Sequence, residues 1–195
     1  MEKLMAVSDI HGAYDAAEDL AQILAAERPD RLLLLGDVLR PAMNPVGRED
    51  LAALLNRLDP PPVAVRGNCD QEDWQDYFSF PILEPLRSLP WDGRLLFLSH
   101  GHAYGESFPP AGLRPGDVLL CGHSHVPKGA VHPGFVFLNP GSFGQPRGGS
   151  CHSYLILEKD EALWKDLSGR VFSRLALPPP AAAEQPQSAT AYFHR

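Results

Sequence analysis

The chain has 195 residues, 44% of them hydrophobic, and a formal charge of −7, which suits one domain with a sizeable core. The negative balance disfavours nucleic-acid backbone as a partner, and no apolar run approaches the length of a membrane span. Three cysteines without a CxxC pair, Cys69, Cys121 and Cys151, read as reduced thiols of a cytoplasmic protein, and the opening MEKLMAVSDIHG turns polar too early for a signal peptide.

KLMAV, Lys3 to Val7, is a short apolar run and predicts a buried strand ending at Ser8-Asp9-Ile10-His11-Gly12. Ala16, Leu20, Ile23 and Leu24 then recur at helical spacing. Asp15 with Glu18 resembles a capping box, and Pro29 stops the helix. RLLLLGD is a second buried strand, ending at Gly36-Asp37, and residues 40–47, RPAMNPVG, read as a loop. Leu51, Leu54, Leu55 and Leu58 share one face of a second helix. PPPVAVRGN is a third strand, ending at Gly67-Asn68. This alternation predicts a parallel α/β half with right-handed crossovers. RLLFLSHG, DVLLCGHSH, FVFLNPGS and SYLILEK follow as strands with short loops, which predicts a second, more antiparallel sheet packed on the first half. The fold class expected is therefore a two-sheet α/β sandwich over residues 1–177. Residues 178–195, rich in Pro, Ala and Gln, are expected to form a disordered tail.

Five of these strands end in side chains that ligate metals: Asp9 and His11, Asp37, Asn68, His100, and the pair His123 and His125. Ligands of open α/β sheets bind at the carboxyl ends of strands. Each signal alone is weak, since Gly36-Asp37 is equally a turn and a lone histidine is often a satisfied core residue. Together they are hard to explain by packing. Imidazole with carboxylate suits Mn²⁺, Fe²⁺ or Zn²⁺. Seven donors exceed one such ion and suit two, roughly 3.5–4 Å apart, sharing a carboxylate.

SDIHG, GDV, RGNCD, HGH, GHSHVP and NPGS, in this order, resemble the motif set of calcineurin-like metallophosphoesterases, and most closely the compact YfcE-type phosphodiesterases. The resemblance runs from about Lys3 to Lys159. It implies a sandwich with metals at strand ends, Asp9, His11 and His125 on one ion, Asn68, His100 and His123 on the other, and Asp37 bridging. It also implies hydrolysis of a small phosphodiester by a metal-bridging hydroxide, with two divalent cations, Mn²⁺ foremost and Fe, Zn, Ni or Mg as alternatives, in a homo-oligomer. Many members carry His after the asparagine as proton donor to the leaving group, whereas this chain has Cys69, a poorer acid–base partner near neutral pH. Cys69 is read instead as a buried thiol or a support to a ligand.

His102, two residues past His100, is a candidate to hydrogen-bond substrate phosphate, or simply a loop histidine; it completes a catalytic set with Asn68 and Asp37. Arg66 and Arg147 are candidate phosphate contacts, with Lys128 behind them. Asp70 either supports a ligand or only turns the chain, and the same choice holds for the NPGS turn, Asn139 to Ser142. EDWQDYF, Glu72 to Phe78, carries aromatics expected to be exposed, lining a pocket or a subunit contact. Two rivals stand beside the phosphodiesterase: a phosphomonoesterase or nuclease on the same site, and a non-catalytic scaffold of the kind this fold provides in the retromer coat.

Overall fold

Both faces of the first strand, β1 (Leu4–Val7), are buried. Side chains alternate along a strand, so Met5 and Val7 enter one apolar cluster and Leu4 and Ala6 another. That double burial is why KLMAV reads as a continuous apolar run. The computed structural model describes residues 2–181.

After β1 come α1 (Tyr14–Glu27), β2 (Arg31–Leu34), α2 (Pro45–Leu55), β3 (Pro62–Ala64) and a 3-10 turn, Glu72–Tyr77. Then follow β4 (Leu86–Trp91), β5 (Arg94–Ser99), β6 (Val118–Leu120), β7 (Lys128–Val131), β8 (Val136–Asn139), β9 (Ser153–Glu158), β10 (Glu161–Asp166) and β11 (Val171–Ala176). One sheet has the order β11-β10-β9-β1-β2-β3 and the other β4-β5-β6-β8-β7. Strands β1, β2 and β3 pair in parallel. So do β5, β6 and β8. The remaining pairs are antiparallel. This is the expected α/β sandwich with two corrections: SYLILEK, as β9, joins the first sheet beside β1, and the second sheet is mixed, not the more antiparallel of the two.

The cluster of Leu4, Leu33, Leu98, Leu120, Leu138, Leu155 and Trp164 fills the space between the sheets. Met5, Leu32 and Leu34 meet Leu20, Ile23 and Leu51 of the helices on the first sheet's other face. Cys121, 1% exposed, lies in a third cluster with Phe97, Leu119 and Phe137.

Three local expectations change. The N-cap of α1 is Ala13, and no side chain caps it, so Asp15 and Glu18 form no capping box. Asn44 caps α2 by accepting from the Gly47 N–H at 2.7 Å, with Pro45 in the first turn. The aromatics Trp74 and Phe78 are buried among the residues under the helices, not exposed. Pro178–Ala181 continue past β11: Arg94 Nη1 donates to the Pro178 carbonyl at 2.9 Å, and the Ala181 N–H donates to that of Pro115 at 2.9 Å. The rest of the expected tail, 182–195, lies outside the described residues.

Candidate metal centre

Parallel strands deliver their carboxyl ends to one side of a sheet. The loops leaving β1, β2 and β3 in one sheet and β5 and β6 in the other all meet at one edge of the sandwich. The backbone there is strained. Among the described residues, eight non-glycine positions have positive φ. Five of these are Asp9 (57°), His11 (51°), Asp37 (52°), His123 (69°) and His125 (60°). Such conformations are costly and persist where the surroundings impose them, characteristically at functional sites. The loops also approach very closely: a Cβ on Gly67 would lie 2.1 Å from Asp37 Oδ1, and one on Gly122 1.8 Å from Ser8 Oγ.

Asp9 is fully buried, and its Oδ1 has no hydrogen-bond partner. Around that oxygen stand Nε2 of His125 at 3.2 Å, of His11 at 3.6 Å and of His100 at 3.9 Å. Asp37 Oδ2 lies 3.4 Å from His100 Nε2 and 3.6 Å from His11 Nε2. Asn68 Oδ1 is 3.1 Å from His100 Nε2. The His123 ring meets the His100 ring edge-on at 5.1 Å, and its backbone N–H donates to Asp9 Oδ2 at 3.0 Å.

The ring orientations are fixed from behind. His100 Nδ1 donates to the Leu35 carbonyl at 2.7 Å, and His125 Nδ1 donates to the Gln145 carbonyl. Both rings therefore present an Nε2 lone pair inward in the neutral form. His11 Nε2 and His125 Nε2 face each other at 3.2 Å. An orphaned buried carboxylate oxygen among inward imidazole lone pairs fits a cation. Asp9, His11 and His125 form one close group of donors, and Asp9, Asp37 and His100 another.

Charge sets the proton affinities of these groups. Burial alone would raise the Asp9 carboxyl, but the neighbouring His11 and His125 imidazoles outweigh it and hold the group well below the usual range. Asp37 is likewise lowered against its burial, by His100 and by the Cys69 backbone N–H. Burial would lower His100, yet Asp37 and Asp9 raise it. The Asp9 carboxylate beside it raises His125. Burial and the charge of His100 lower both His123 and His102. Burial and Asp37 push the Cys69 thiol up to about 12.

Two groups brace the cage. Asp70, 2% exposed, accepts from the backbone N–H groups of Asp37 (2.9 Å), Gly67 (2.8 Å) and Val38 (3.1 Å). It joins the loop carrying Asp37 to the loop carrying Asn68, which resolves the choice left open by the sequence. Ser142 Oγ, in the NPGS turn, donates to the Asp9 carbonyl at 2.8 Å and accepts from the Gln145 N–H at 2.7 Å. The carbonyls of Leu35 and Gln145 escape sequence reading, because any residue type supplies them.

His102 is exposed at the rim, its ring 5.5 Å from that of His100 and 6.2 Å from that of His123. Arg66 acts electrostatically on His102, while its Nε donates to the Asp70 carbonyl at 3.2 Å. Arg147 acts electrostatically on His125. Lys128 is paired with Glu106 instead.

A buried cage of imidazoles and carboxylates at the strand ends of an α/β sandwich defines a metallohydrolase type of centre, and the comparisons give the family. The model of the calcineurin-like phosphoesterase superfamily domain matches residues 2–162, and the chain belongs to that superfamily. It is 40% identical over 166 residues to phosphodiesterase YfcE of Escherichia coli K12, covering 82% of this chain and 89% of the relative. The structure of YfcE, described as a phosphoesterase from E. coli, superposes with a TM-score of 0.83 at 34% identity, covering 90% of this chain and all of the other. Vacuolar protein sorting 29 from Cryptosporidium parvum shares the fold at a TM-score of 0.60 and 18% identity, over 90% of this chain and 98% of the other.

Proposed function

We propose that the chain is a dinuclear metal phosphodiesterase acting on a small phosphate ester. The observation that carries this is the unpartnered, fully buried Asp9 Oδ1 beneath three inward Nε2 atoms. Asp9, His11 and His125 would hold one cation and Asn68, His100 and His123 the other, with Asp37 shared between them. Mn²⁺ is the foremost choice, and Fe, Zn, Ni or Mg are compatible with the same donors. Two such ions, when bound, supply a water-derived nucleophile at neutral pH and offset charge on the phosphoryl oxygens.

The chain's own residues supply the rest. His102, its proton affinity lowered by partial burial and by the charge of His100, hydrogen-bonds a phosphoryl oxygen at the rim. Arg66 and Arg147, which act electrostatically on His102 and His125, orient the anionic substrate. Asn68 and Asp37 hold the reacting phosphorus in register with the cage. Cys69 keeps its proton and donates none to the leaving group. Leaving-group departure therefore goes without a strong acid, so activated aryl diesters react faster than alkyl ones. Three free thiols accord with a cytoplasmic setting, and the family resemblance with a homo-oligomer. The scaffold reading has the shared fold in its favour, but here every one of the seven donor positions holds a competent ligand.

A chromogenic aryl phosphodiester, incubated with the protein and Mn²⁺ with and without chelator, tests the reading. Turnover with metal, abolished by chelator and at least tenfold slower on an alkyl diester, is expected. Absence of turnover on mono- and diesters alike, with metal bound, would remove the enzyme reading and leave the scaffold.

A further inference from the structure

On the reading proposed above Cys69 donates no proton, yet its sulfur lies beside the cage. A ring nitrogen of His11, a carboxylate oxygen of Asp37 and Cys69 Sγ all lie within 4.8 Å of one another. The position is built. The Cys69 backbone N–H donates to Asp37 Oδ1 at 2.8 Å, which fixes the residue beside that carboxylate. Asn68 Nδ2 donates to Sγ at 3.4 Å. Next to this group, 3.6 Å from His11 Nε2, is the buried and unpartnered Asp9 Oδ1. The set thus adjoins an unanswered demand for positive charge.

We propose that Cys69, His11 and Asp37 form a further ligand set, which captures thiophilic divalent cations such as Zn²⁺ and Cd²⁺. This rests on the reading of His11 and Asp37 as cation ligands. Hard ions such as Mg²⁺ and Mn²⁺ prefer oxygen and nitrogen donors and leave a thiol aside, whereas Zn²⁺ and Cd²⁺ bond thiolate strongly. On capture the S–H bond breaks, its proton passes to solvent and a sulfur–metal bond forms; no electron changes hands. The set borrows His11 and the shared Asp37 from the paired arrangement. A thiophilic ion seated on sulfur is therefore incompatible with that arrangement and blocks hydrolysis. Asn-Cys in place of Asn-His then makes the centre one that hard cations activate and thiophilic cations inhibit.

The test uses the metal-free chain carrying Cys151→Ser, because Cys151 is exposed and would bind cadmium independently. Titration with Cd²⁺ is followed by ultraviolet charge-transfer absorption of the cadmium–thiolate bond and, separately, by calorimetry. A thiolate band saturating at one equivalent is expected. Cys69→Ser and Cys69→Ala should each abolish it and weaken Cd²⁺ binding about 10–100-fold relative to Mn²⁺. X-ray absorption of the Zn²⁺-loaded Cys151→Ser protein, which needs no further substitution, should show one sulfur bonded to zinc. Cation binding with only nitrogen and oxygen neighbours would overturn the Cys69 set and leave the dinuclear reading standing. No cation binding at all would overturn both.

Discussion

Asp70 shows how much one buried side chain can organise. Its carboxylate takes three backbone N–H groups from two loops, those of Asp37, Val38 and Gly67. Replacing it by alanine strands these donors in the interior, where each costs about 1–3 kcal/mol. Asp70→Ala is expected to lose about 3 kcal/mol of stability in chemical denaturation. It should also weaken Mn²⁺ binding more than any surface substitution does, while Asp70→Asn, which keeps one acceptor oxygen, loses less on both counts. A variant with unchanged metal affinity in calorimetry would show that Asp70 merely turns the chain. The ligand types themselves were legible in the sequence because each follows directly on an apolar run. The three bonds of Asp70 were not, since two of its partners are 32 and 33 residues away.

At the scale of elements, the first sheet is tied to α1 by Glu27. Its carboxylate accepts from Lys165 Nζ (2.7 Å) in β10, Tyr154 OH (2.7 Å) in β9 and Lys3 Nζ (2.8 Å) ahead of β1. Burial opposes its ionisation, but these partners lower its pKa to about 2. A carboxyl whose folded pKa lies below its unfolded value stabilises fully above the unfolded value and loses that contribution as the pH falls through both. Discounted for the solvent screening of a partly exposed group, Glu27 should contribute on the order of 2 kcal/mol at pH 7, lost between about pH 5 and pH 2. In thermal melts across that range, Glu27→Gln should show a shallower fall in Tm than the parent; parallel curves would contradict the assignment. None of this network is visible as a motif. Strands β10 and β11 escaped the sequence reading because polar residues interrupt them, and β9 was placed in the wrong sheet because strand pairing with β1 is decided by tertiary packing. Trp74 escaped because its polar neighbours in the 3-10 turn mask a side chain that points inward.

Taken whole, the molecule stores unfavourable electrostatics at one edge. Two buried carboxylates lie close together, imidazole nitrogens converge on them, and five candidate ligand positions hold left-handed backbone. A ligand that binds only the folded state stabilises it by mass action, about 2.7 kcal/mol at a hundredfold excess over Kd. Chelation should therefore lower Tm by several degrees, and Mn²⁺ should restore it. An unchanged Tm would mean that the cage holds no cation in solution. The two-layer architecture and the location of the cage could be foreseen because parallel strands deliver their ends to a common edge. Which candidate donors come close together follows only from the three-dimensional convergence of loops from both sheets.

The most direct test is a crystal grown with Mn²⁺ and measured at the manganese absorption edge. Two anomalous peaks per chain are predicted, one against Asp9, His11 and His125 and one against Asn68, His100 and His123, with Asp37 between them. A single peak, or none within reach of Asp37, would contradict a two-cation centre.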